Sequence, residues 1–379
     1  MKQSAPVNVA LVIDTLHRGG AERVLVAIAN GLDRDRYRVH VILTRNRGPL
    51  ANDLAAHVNV HSLERRSRRD VLALRRFSRL IRDHDIQIVH THSHSAAYFA
   101  RLARILDRAS WLHVMHDHHG PVEGSYSHRL ADRLLLRNVD HYLAVSSRLE
   151  AYAERWLGIS RERREYLCNG VPVPTAAAHP PAVPFTVAHV ARLMPDKNQK
   201  MALMVARSLR ESMPDLRWLL VGRTSSSYGD ECARLVVEYE LESNVVFLGE
   251  QAEVGKFLSA AHVGVVTSDF EGLPLALLEY MAAGLPVVVT DVGECASVVR
   301  ASGGGVVVPP GDVEGFSKAL LDYAANPSAA SRAGDLNRRF VAENHSVAAM
   351  VRRISDVYEA LLAGDQNVTS YSRRAVGSV

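Results

Sequence analysis

The segment SDFEGLPLALLE, residues 268–279, joins a strand pattern to a helix pattern and decides how the surrounding chain folds. The apolar run HVGVVT before it, residues 262–267, predicts a buried parallel strand, and the periodic apolar residues of 275–283 predict a helix. Gly272 and Pro274 at the junction favour a tight turn and a helix start. A strand–loop–helix junction presents free backbone N–H groups to its loop, so this segment predicts an anion site.

Two carboxylates flank this predicted anion site. Glu271 lies in the loop, and Glu279 lies eight residues further on in the helix. Carboxylates accept hydrogen bonds from hydroxyl groups. A ligand that carries both phosphates and hydroxyls, such as a nucleotide sugar, would suit this site.

Strand and helix patterns alternate on both sides of the segment, which predicts an α/β protein with two doubly wound parallel-sheet domains. We predict domains at residues 1–172 and 185–346, a proline-rich linker at 173–184 and a polar tail at 364–379. The predicted strands are 7–14, 37–43, 86–90, 111–115, 141–145, 185–190, 218–221, 245–248, 262–267, 286–290 and 305–308. The predicted helices are 21–32, 71–81, 130–136, 147–157, 200–213, 275–283, 313–325 and 347–363.

The composition of the 379 residues, 47% hydrophobic and 23% charged, is typical of a soluble globular protein. No apolar run approaches the roughly 20 residues of a membrane span, and the first run predicts a strand rather than a signal peptide. The three cysteines lie far apart, which favours neither disulfides nor a cysteine metal site. We therefore expect a cytoplasmic protein.

The N-terminal half is basic. Residues 1–172 contain 27 basic and 18 acidic residues, whereas the remainder contains 18 basic and 23 acidic residues. This asymmetry favours an anionic partner for the N-terminal half. Apolar residues at helical spacing over 71–81 predict an amphipathic helix that the arginines of residues 65–82 decorate. Two interpretations of this basic helix stay open: a solvated helix face, or contact with anionic lipid head groups or an acidic acceptor. These arginines are Arg65, Arg66, Arg68, Arg69, Arg75, Arg76, Arg79 and Arg82.

Two histidine-rich segments, HTHSH at 90–94 and HDHHG at 116–120, follow predicted strands. Ligands bind at the carboxyl edge of an open α/β sheet, so we favour histidines that line a polar sugar pocket. A zinc site is the weaker alternative, because neither a cysteine partner nor a helical histidine pair supports it. The third interpretation is that these histidines lie in the core or on the surface without a functional role.

Two cations, Arg192 and Lys197, follow the predicted strand 185–190. Arginine binds phosphate oxygens as a fork and lysine binds them as a point charge, so this pair would suit a nucleoside diphosphate. The alternative is that both cations merely pair with Asp196 or Glu271. Near the N-terminus, the glycine pair before helix 21–32 lacks the full dinucleotide fingerprint, and by itself it favours a plain turn.

Taken together, these motifs resemble the retaining GT-B glycosyltransferases of the group-1 type, also called glycosyltransferase family 4. The matching segments are 18–23 (RGGAER), 89–92 (VHTH), 114–117 (VMHD), 169–171 (NGV), 190–193 (VARL) with Lys197, and 268–288. The resemblance implies two Rossmann-like domains that face a central cleft, and a last helix, about 347–362, that crosses back to the N-terminal domain. It also implies an N-terminal acceptor-binding domain and a C-terminal nucleotide-sugar-binding domain.

The resemblance also implies a role for individual residues. Glu279 would bind the donor ribose, and Arg192 and Lys197 would neutralise the diphosphate. Glu271 and the backbone around Gly272, Leu273, Pro274 and Leu275 would hold the sugar hydroxyls and phosphate. Gly19 and Gly20 would bring helix amides to the phosphate, and His116 would lie beside the donor sugar, a role that His118 or His119 could share. The expected substrate-binding residues also include His92, Asn169 and Gln251.

The implied reaction is transfer of a sugar, with retention, from a UDP-sugar or GDP-sugar to a glycan, lipid-linked or small-molecule acceptor in cell-envelope or exopolysaccharide biosynthesis. We expect no cofactor and no nucleic acid. We also expect no metal, because the Asp-x-Asp pairs at 33–35 and 83–85 precede strands as turn or cap residues. Membrane association would be peripheral. The alternatives are a sugar-nucleotide 2-epimerase type of isomerase and a non-catalytic nucleotide-sugar-binding subunit, and the residues do not specify the donor base, donor sugar or acceptor.

Overall fold

The computed structural model describes residues 5–17, 19–67, 70–118, 134, 136, 139–178 and 183–364. The chain divides into two compact units. Unit 1 comprises Met1–Gly170 together with Val347–Val379, and unit 2 comprises Val171–Ser346. Residues outside the described ranges include Arg18, Arg68, Arg69, His119, residues 365–379 of the tail and nearly all of the predicted helix 130–136. None of the described helices is both long enough and apolar enough to cross a membrane.

Unit 1 contains a seven-stranded parallel sheet in the order β3-β2-β1-β4-β5-β6-β7. Its strands are β1 Val7–Ile13, β2 Tyr37–Leu43, β3 Asn59–Ser62, β4 Ile88–Thr91, β5 Leu112–Asp117, β6 His141–Ala144 and β7 Arg164–Tyr166. The helices along the chain are α1 Gly20–Gly31, α2 Val71–Asp83, α3 His94–Asp107 and α4 Ser147–Tyr152, which continues as a π-helical turn over Ala153–Leu157. The inner strand β1 is fully buried from Val9 to Val12, which explains its uninterrupted apolar sequence.

The last helix, α12 Val347–Leu362, belongs to unit 1 and packs against α1. The buried Tyr358 ring lies edge-on to Tyr37, 5.8 Å between centroids, and its hydroxyl is 2.5 Å from His90 Nδ1. Arg353 on the same helix forms an ion pair with the buried Glu165. The predicted return of the last helix to the N-terminal domain is therefore confirmed.

Unit 2 contains a six-stranded parallel sheet in the order β10-β9-β8-β11-β12-β13. Its strands are β8 Thr186–Val190, β9 Arg217–Val221, β10 Val245–Gly249, β11 Val263–Val266, β12 Val287–Thr290 and β13 Gly305–Val308. Its helices are α5 Gln199–Leu209, α6 Ser227–Glu238, α7 Gly255–Leu258, α8 Leu275–Ala282, α9 Cys295–Ser302, α10 Val313–Ala325 and α11 Pro327–Asn344. The predicted α/β class with two Rossmann-like sheets is confirmed.

Both faces of the second sheet are covered. Successive residues of β12 alternate between two hydrophobic clusters: Val288 belongs to one, and Val287 and Val289 belong to the other. Side chains along a strand point alternately to opposite faces, so the two clusters lie on opposite faces of the sheet. Helices on both faces of a parallel sheet are the defining feature of the doubly wound fold.

Four parts of the sequence-based description need correction. Arg65 precedes α2 rather than lying on it, and its side chain is buried against Asp14 and Ser95. The predicted helix 200–213 ends at Leu209. Residues 227–238, for which no helix was predicted, form α6. The described part of the predicted linker packs on unit 2, where Ala178 N–H donates to the Ala283 carbonyl and Arg338 donates to the Pro174 carbonyl.

Candidate functional site

Each sheet reverses its strand order at one point, and several of the candidate site residues lie at these two points. In unit 1 the reversal falls between β1 and β4, and in unit 2 it falls between β8 and β11. In open α/β sheets the crevice outside the carboxyl ends of such strands is where ligands bind. The loops after β8 and β11 contain Arg192, Lys197 and Glu271, whereas those after β1 and β4 contain Gly19 and His92.

In unit 2 the loop after β8 is fastened to the loop after β11. The buried Thr267 hydroxyl donates to the carbonyls of Lys197 at 3.0 Å and Asn198 at 3.1 Å. Asp269 N–H donates to the Asp196 carbonyl at 2.9 Å, and the Asn198 side-chain amide donates to Asp269 Oδ1 at 2.9 Å. These four hydrogen bonds hold the two loops together, so the positions of Lys197 and Glu271 are fixed relative to one another.

Lys197 and Glu271 form an ion pair at the centre of these loops. Lys197 Nζ lies 2.9 Å from Glu271 Oε2 and 3.2 Å from Asp196 Oδ2. The other oxygen of Glu271 accepts a hydrogen bond of 2.7 Å from the Ser268 hydroxyl. The Lys197 and Glu271 side chains are only 19% and 10% exposed. Because an ammonium group has three N–H donors, one donor of Lys197 is left over for a ligand oxygen.

Arg192 differs from Lys197. Its side chain is exposed, and no described acidic side chain lies within ion-pair distance of its guanidinium. Its backbone is fixed because its carbonyl accepts a hydrogen bond of 3.0 Å from the buried Gln199. The two acids of the predicted alternative, Asp196 and Glu271, thus both pair with Lys197, and neither pairs with Arg192.

Helix α8 begins beside the ion pair. Its first turn follows Pro274 and has no side-chain cap, and within it Leu277 N–H donates to the Pro274 carbonyl at 3.1 Å. The Gly272 carbonyl accepts a hydrogen bond of 2.8 Å from Glu294 N–H. Gly293 next to it has φ +52°, and a Cβ there would overlap the carbonyls of Glu271 and Gly272. Gly293 thus determines how closely the loop approaches α9, a role that sequence reasoning missed.

Tyr280 fixes the orientation of α8 and was also missed. Its buried hydroxyl accepts a hydrogen bond of 2.5 Å from Val190 N–H at the end of β8. A Cβ on Gly264 of β11 would collide with its ring, so this glycine is what lets the helix pack so close. Burial raises the pKa of Tyr280, which keeps the hydroxyl neutral. The adjacent Glu279, partly exposed on α8, is positioned by this anchor.

In unit 1, Gly19 and Gly20 lie at the start of α1, as predicted. Gly19 is the N-cap residue in an extended conformation, and it provides no side-chain cap. The Glu22 carboxylate lies against Gly19, since a Cβ at Gly19 would overlap it. No side chain caps the N-terminus of α1, and the acidic residue Glu22 lies in its first turn.

His90, His92 and His116 form a fully buried cluster at the ends of β4 and β5. Their ring centroids lie 4.4 to 5.5 Å apart, and three of their nitrogens, one from each ring, lie within 4.8 Å of one another. Burial lowers the pKa of each imidazole well below its usual value, and neighbouring histidines lower it further. The cluster is therefore neutral at pH 7.

The structure adds partners to this cluster. His92 Nδ1 lies 3.2 Å from His118 Nε2, whereas neither nitrogen of His116 has a described hydrogen-bond partner. Asp117, next to His116, accepts hydrogen bonds from the Tyr142 hydroxyl at 2.6 Å and from His94 at 2.9 Å. The ring nitrogens of His116 thus lack the partners that buried polar atoms normally have.

The two remaining predicted site residues, Asn169 and Gln251, differ in whether their side-chain amides already have a hydrogen-bond partner. The Asn169 side chain is buried, and its Oδ1 has no described partner. Gln251 donates its amide to the Leu248 carbonyl at 2.6 Å, so this amide stabilises the turn after β10. The structure therefore brings together Lys197, Glu271 and the start of α8 in unit 2 and, separately, His92 and His116 in unit 1.

Comparisons with known proteins agree with this arrangement. Residues 177–340 match the family model described as glycosyl transferases group 1, and residues 18–173 match the model described as glycosyltransferase family 4. The chain is 24% identical over 332 residues to the UDP-Gal:alpha-D-GlcNAc-diphosphoundecaprenol alpha-1,3-galactosyltransferase of Escherichia coli, covering 80% of this chain and 84% of that protein. It is 28% identical over 248 residues to the lipopolysaccharide core biosynthesis mannosyltransferase LpsB of Rhizobium meliloti, covering 61% and 68%.

A solved structure has the same fold. HepE of Anabaena, in complex with UDP-glucose, aligns with a TM-score of 0.79 at 19% identity, over 93% of this chain and 99% of that one.

Proposed function

Because the chain belongs to the group-1 GT-B glycosyltransferases, we propose that it transfers a sugar, with retention of configuration, from a nucleoside-diphosphate sugar to a glycan, lipid-linked or small-molecule acceptor in cell-envelope or exopolysaccharide biosynthesis. One observation carries the proposal: the Lys197–Glu271 pair lies in the loops beside the uncapped start of α8. This arrangement supplies both positive charge for a diphosphate and an acceptor for sugar hydroxyls. The epimerase and binding-subunit alternatives are not favoured, since the relatives described above are named as transferases.

The residues of unit 2 would bind the donor as follows. The diphosphate accepts hydrogen bonds from the α8 amides, Arg192 and the remaining donor of Lys197. Glu279 accepts from the ribose hydroxyls, and Glu271, held by Ser268, accepts from the hydroxyls of the transferred sugar. A UDP-sugar is the favoured donor, because HepE binds UDP-glucose and the Escherichia coli relative is named for UDP-Gal.

The reaction would depend on stabilising the departing phosphate. Negative charge develops on the β-phosphate as the sugar becomes oxocarbenium-like, and each preorganised donor contributes about 3–4 kcal/mol by analogy with oxyanion holes. With Arg192, Lys197 and helix amides in this role, no divalent metal is required. His116 would contact the donor sugar as a neutral imidazole, and Gly19, Gly20, His92, Asn169 and Gln251 stay predicted substrate contacts.

Alanine variants of the two cations test the proposal. The purified protein is first screened for thermal stabilisation by nucleotides and nucleotide sugars, and donor hydrolysis or transfer is then measured with the stabilising donor. We expect Arg192→Ala and Lys197→Ala each to lower kcat/KM by more than about tenfold, because each removes a charge-assisted hydrogen bond. Lys318→Ala is the matched control, since Lys318 is 75% exposed and pairs only with Asp322 one turn along α10.

Two outcomes would contradict the proposal. One is unchanged kcat/KM in both cation variants. The other is loss of initial rate in EDTA that Mn²⁺ restores, which would overturn the metal-free chemistry. Free nucleotide sugar epimerised in the absence of acceptor would instead favour the isomerase.

A further inference from the structure

A second histidine cluster in unit 1 lies apart from the residues of the proposed reaction. His40 lies on β2, His61 lies on the edge strand β3, and His84 follows the last residue of α2. In the β2–β3 register, His61 faces Ile42, two residues beyond His40, so both imidazoles lie on the same face of the sheet. Ile42 packs in the hydrophobic cluster under α2, so this is the face that α2 covers. The end of α2 thus places His84 next to the two histidines of the strands.

The spacing of the nitrogens suits a metal ion. His40 Nδ1 lies 3.2 Å from His61 Nε2, and the planes of the two rings are nearly parallel, with an angle of 13° between them. The His84 ring centroid lies 4.6 Å from that of His40 and 5.0 Å from that of His61. One nitrogen from each ring lies within 4.8 Å of the others. In a tetrahedral zinc site with Zn–N bonds of about 2.0–2.1 Å, ligand nitrogens lie about 3.3 Å apart.

The three side chains are also available as ligands. His40 is buried, and its Nε2 has no described hydrogen-bond partner. Burial lowers the pKa of His40 to about 4, with smaller contributions from His84, His61 and Arg38, and burial also lowers the pKa of His61. Both imidazoles are therefore neutral at pH 7, which is the form that binds metals. His61 and His84 are partly exposed, so an ion can reach them from solvent.

Metal binding requires one rearrangement. In the hydrogen bond between His40 and His61, one of the two facing nitrogens carries a proton. For both to bind a metal, that proton moves to the other nitrogen of the same ring, a change of tautomer that releases no proton to solvent. The Arg38 charge near His40 opposes a cation, so the ion must be one that imidazole binds strongly.

We propose that His40, His61 and His84 bind Zn²⁺, with water in the fourth position, and that the ion ties the end of α2 to strands β2 and β3 at the edge of the first sheet. A bound ion stabilises the folded protein by mass action, because the unfolded chain does not hold the three ligands together. The site is independent of the donor residues in unit 2. Its role is to hold the outer part of the first sheet in place.

Zinc binding to the full-length protein, freed of metal by chelation, tests the proposal. Equilibrium dialysis with ZnCl₂ followed by elemental analysis gives the stoichiometry, and Co²⁺ substitution gives the visible absorption of an imidazole-bound ion. We compare the wild-type protein with His61→Ala, His84→Ala and the double variant. His57→Ala is the matched control, because His57 is an exposed histidine of the same unit outside the cluster.

We expect one equivalent of Zn²⁺ in the wild-type protein and in the His57 variant, and a rise of Tm with Zn²⁺ that EDTA reverses. Each single variant should bind at least about 100-fold more weakly, since loss of even an outer-shell partner costs about 10- to 100-fold in metal affinity. Because His61 and His84 are not fully buried, both variants should fold, and their Tm without metal checks this.

Three results would overturn the proposal. The first is a wild-type protein that binds no Zn²⁺ at micromolar concentrations. The second is equal binding by wild type and the double variant. The third is binding that is lost in His92→Ala and retained in His61→Ala, which would assign the ion to the buried cluster of His90, His92 and His116.

Discussion

The Glu271 carboxylate has two partners in the structure, and binding of a donor phosphate would affect only one of these two interactions. Lys197 lies 2.9 Å from one oxygen and Ser268 lies 2.7 Å from the other. A phosphate that binds Lys197 competes with the carboxylate for the ammonium, whereas the Ser268 hydrogen bond is left unchanged. Ser268 is therefore a positioning residue, which keeps the Glu271 carboxylate oriented when the Lys197 ammonium binds the donor phosphate instead.

The first prediction concerns Ser268. Removal of its hydroxyl in Ser268→Ala should lower kcat/KM about tenfold or more, because hydrogen bonds to charged groups contribute about 1.5–3 kcal/mol. The effect should be smaller for a donor that lacks the sugar hydroxyl that Glu271 contacts, and nucleotide affinity without the sugar should not change. Ser259→Ala is the control, since Ser259 lies in an exposed turn and donates only to the Lys256 carbonyl. Equal loss of UDP and UDP-sugar binding would show that Ser268 holds the loop rather than Glu271.

The sequence predicted the types of residue at the site better than it predicted their partners. Glu271, Lys197 and Arg192 follow predicted strands, so periodicity alone places them near the carboxyl edge of the sheet. Tyr280 and Gly293 were missed because their roles depend on contacts 90 and about 20 residues away in the chain. Such contacts leave no local pattern. The buried state of His92 and His116 was missed for the same reason, since a histidine after a strand is compatible with either burial or exposure.

Among the helices, α2 is the one whose basic face was singled out, and the structure changes the set of arginines involved. Arg65 is buried, whereas Arg75, Arg76, Arg79 and Arg82 are exposed on the helix. Val71 and Leu72 at its start are also exposed, at 57% and 63%. Arg76 donates a hydrogen bond to the Leu63 carbonyl, and the Arg82 guanidinium lies 3.7 Å from the Asp107 carboxylate. Arg75 and Arg79 are therefore the two of these four arginines for which no such side-chain interaction is described.

The second prediction is that this face binds anionic lipid. Charge reversal in Arg75→Glu with Arg79→Glu should reduce sedimentation with vesicles that contain phosphatidylglycerol, because each basic residue near such a surface contributes about 1 kcal/mol. Neutral phosphatidylcholine vesicles should bind neither protein, and added salt should weaken wild-type binding. Reversal of Arg332 and Arg339 on α11 of unit 2 is the matched control. Unchanged vesicle binding by the α2 variant would leave the solvated-face interpretation.

The elements that the sequence did not predict include two short strands, β3 and β7, and several helices, among them α3, α6 and α11. Strands β3 and β7 have four and three residues, and polar side chains interrupt both of them. Their strand conformation comes from pairing with β2 and β6 rather than from their own pattern. Helix α11 was missed for a different reason: it is largely polar and buries only a narrow stripe that includes Gly334, Asn337 and Val341. The long, periodic α12 was predicted, because its apolar face is wide enough to be recognised.

At the scale of the whole molecule, buried histidines are unevenly distributed between the two units. Among the described residues, unit 1 has seven histidines whose pKa is lowered by burial: His40, His61, His90, His92, His113, His116 and His141. In unit 2 the buried histidines among the described residues are His189, whose pKa burial lowers to about 4, and His345. The buried Glu165, whose pKa is raised, acts in the opposite direction in unit 1, but it is a single group.

The third prediction follows from this distribution: unit 1 loses stability before unit 2 as the pH falls. A histidine with a lowered pKa stays neutral in the folded protein, while in the unfolded chain it binds a proton below about pH 6.5. Its contribution to stability is therefore complete above pH 6.5 and is lost as the pH falls toward the pKa of the folded state, by up to about 1.4 kcal/mol per pH unit for each group.

Hydrogen-exchange protection factors of the full-length protein at pH 7 and pH 5.5 measure this loss separately for each sheet. Protection of β1, β4 and β5 should fall much more than that of β8, β11 and β12, which serve as the internal reference because fewer of the described buried histidines lie in unit 2. An equal fall in both sheets would mean that acid acts on the protein as a whole, through net charge, rather than through the neutral histidines buried in the first sheet.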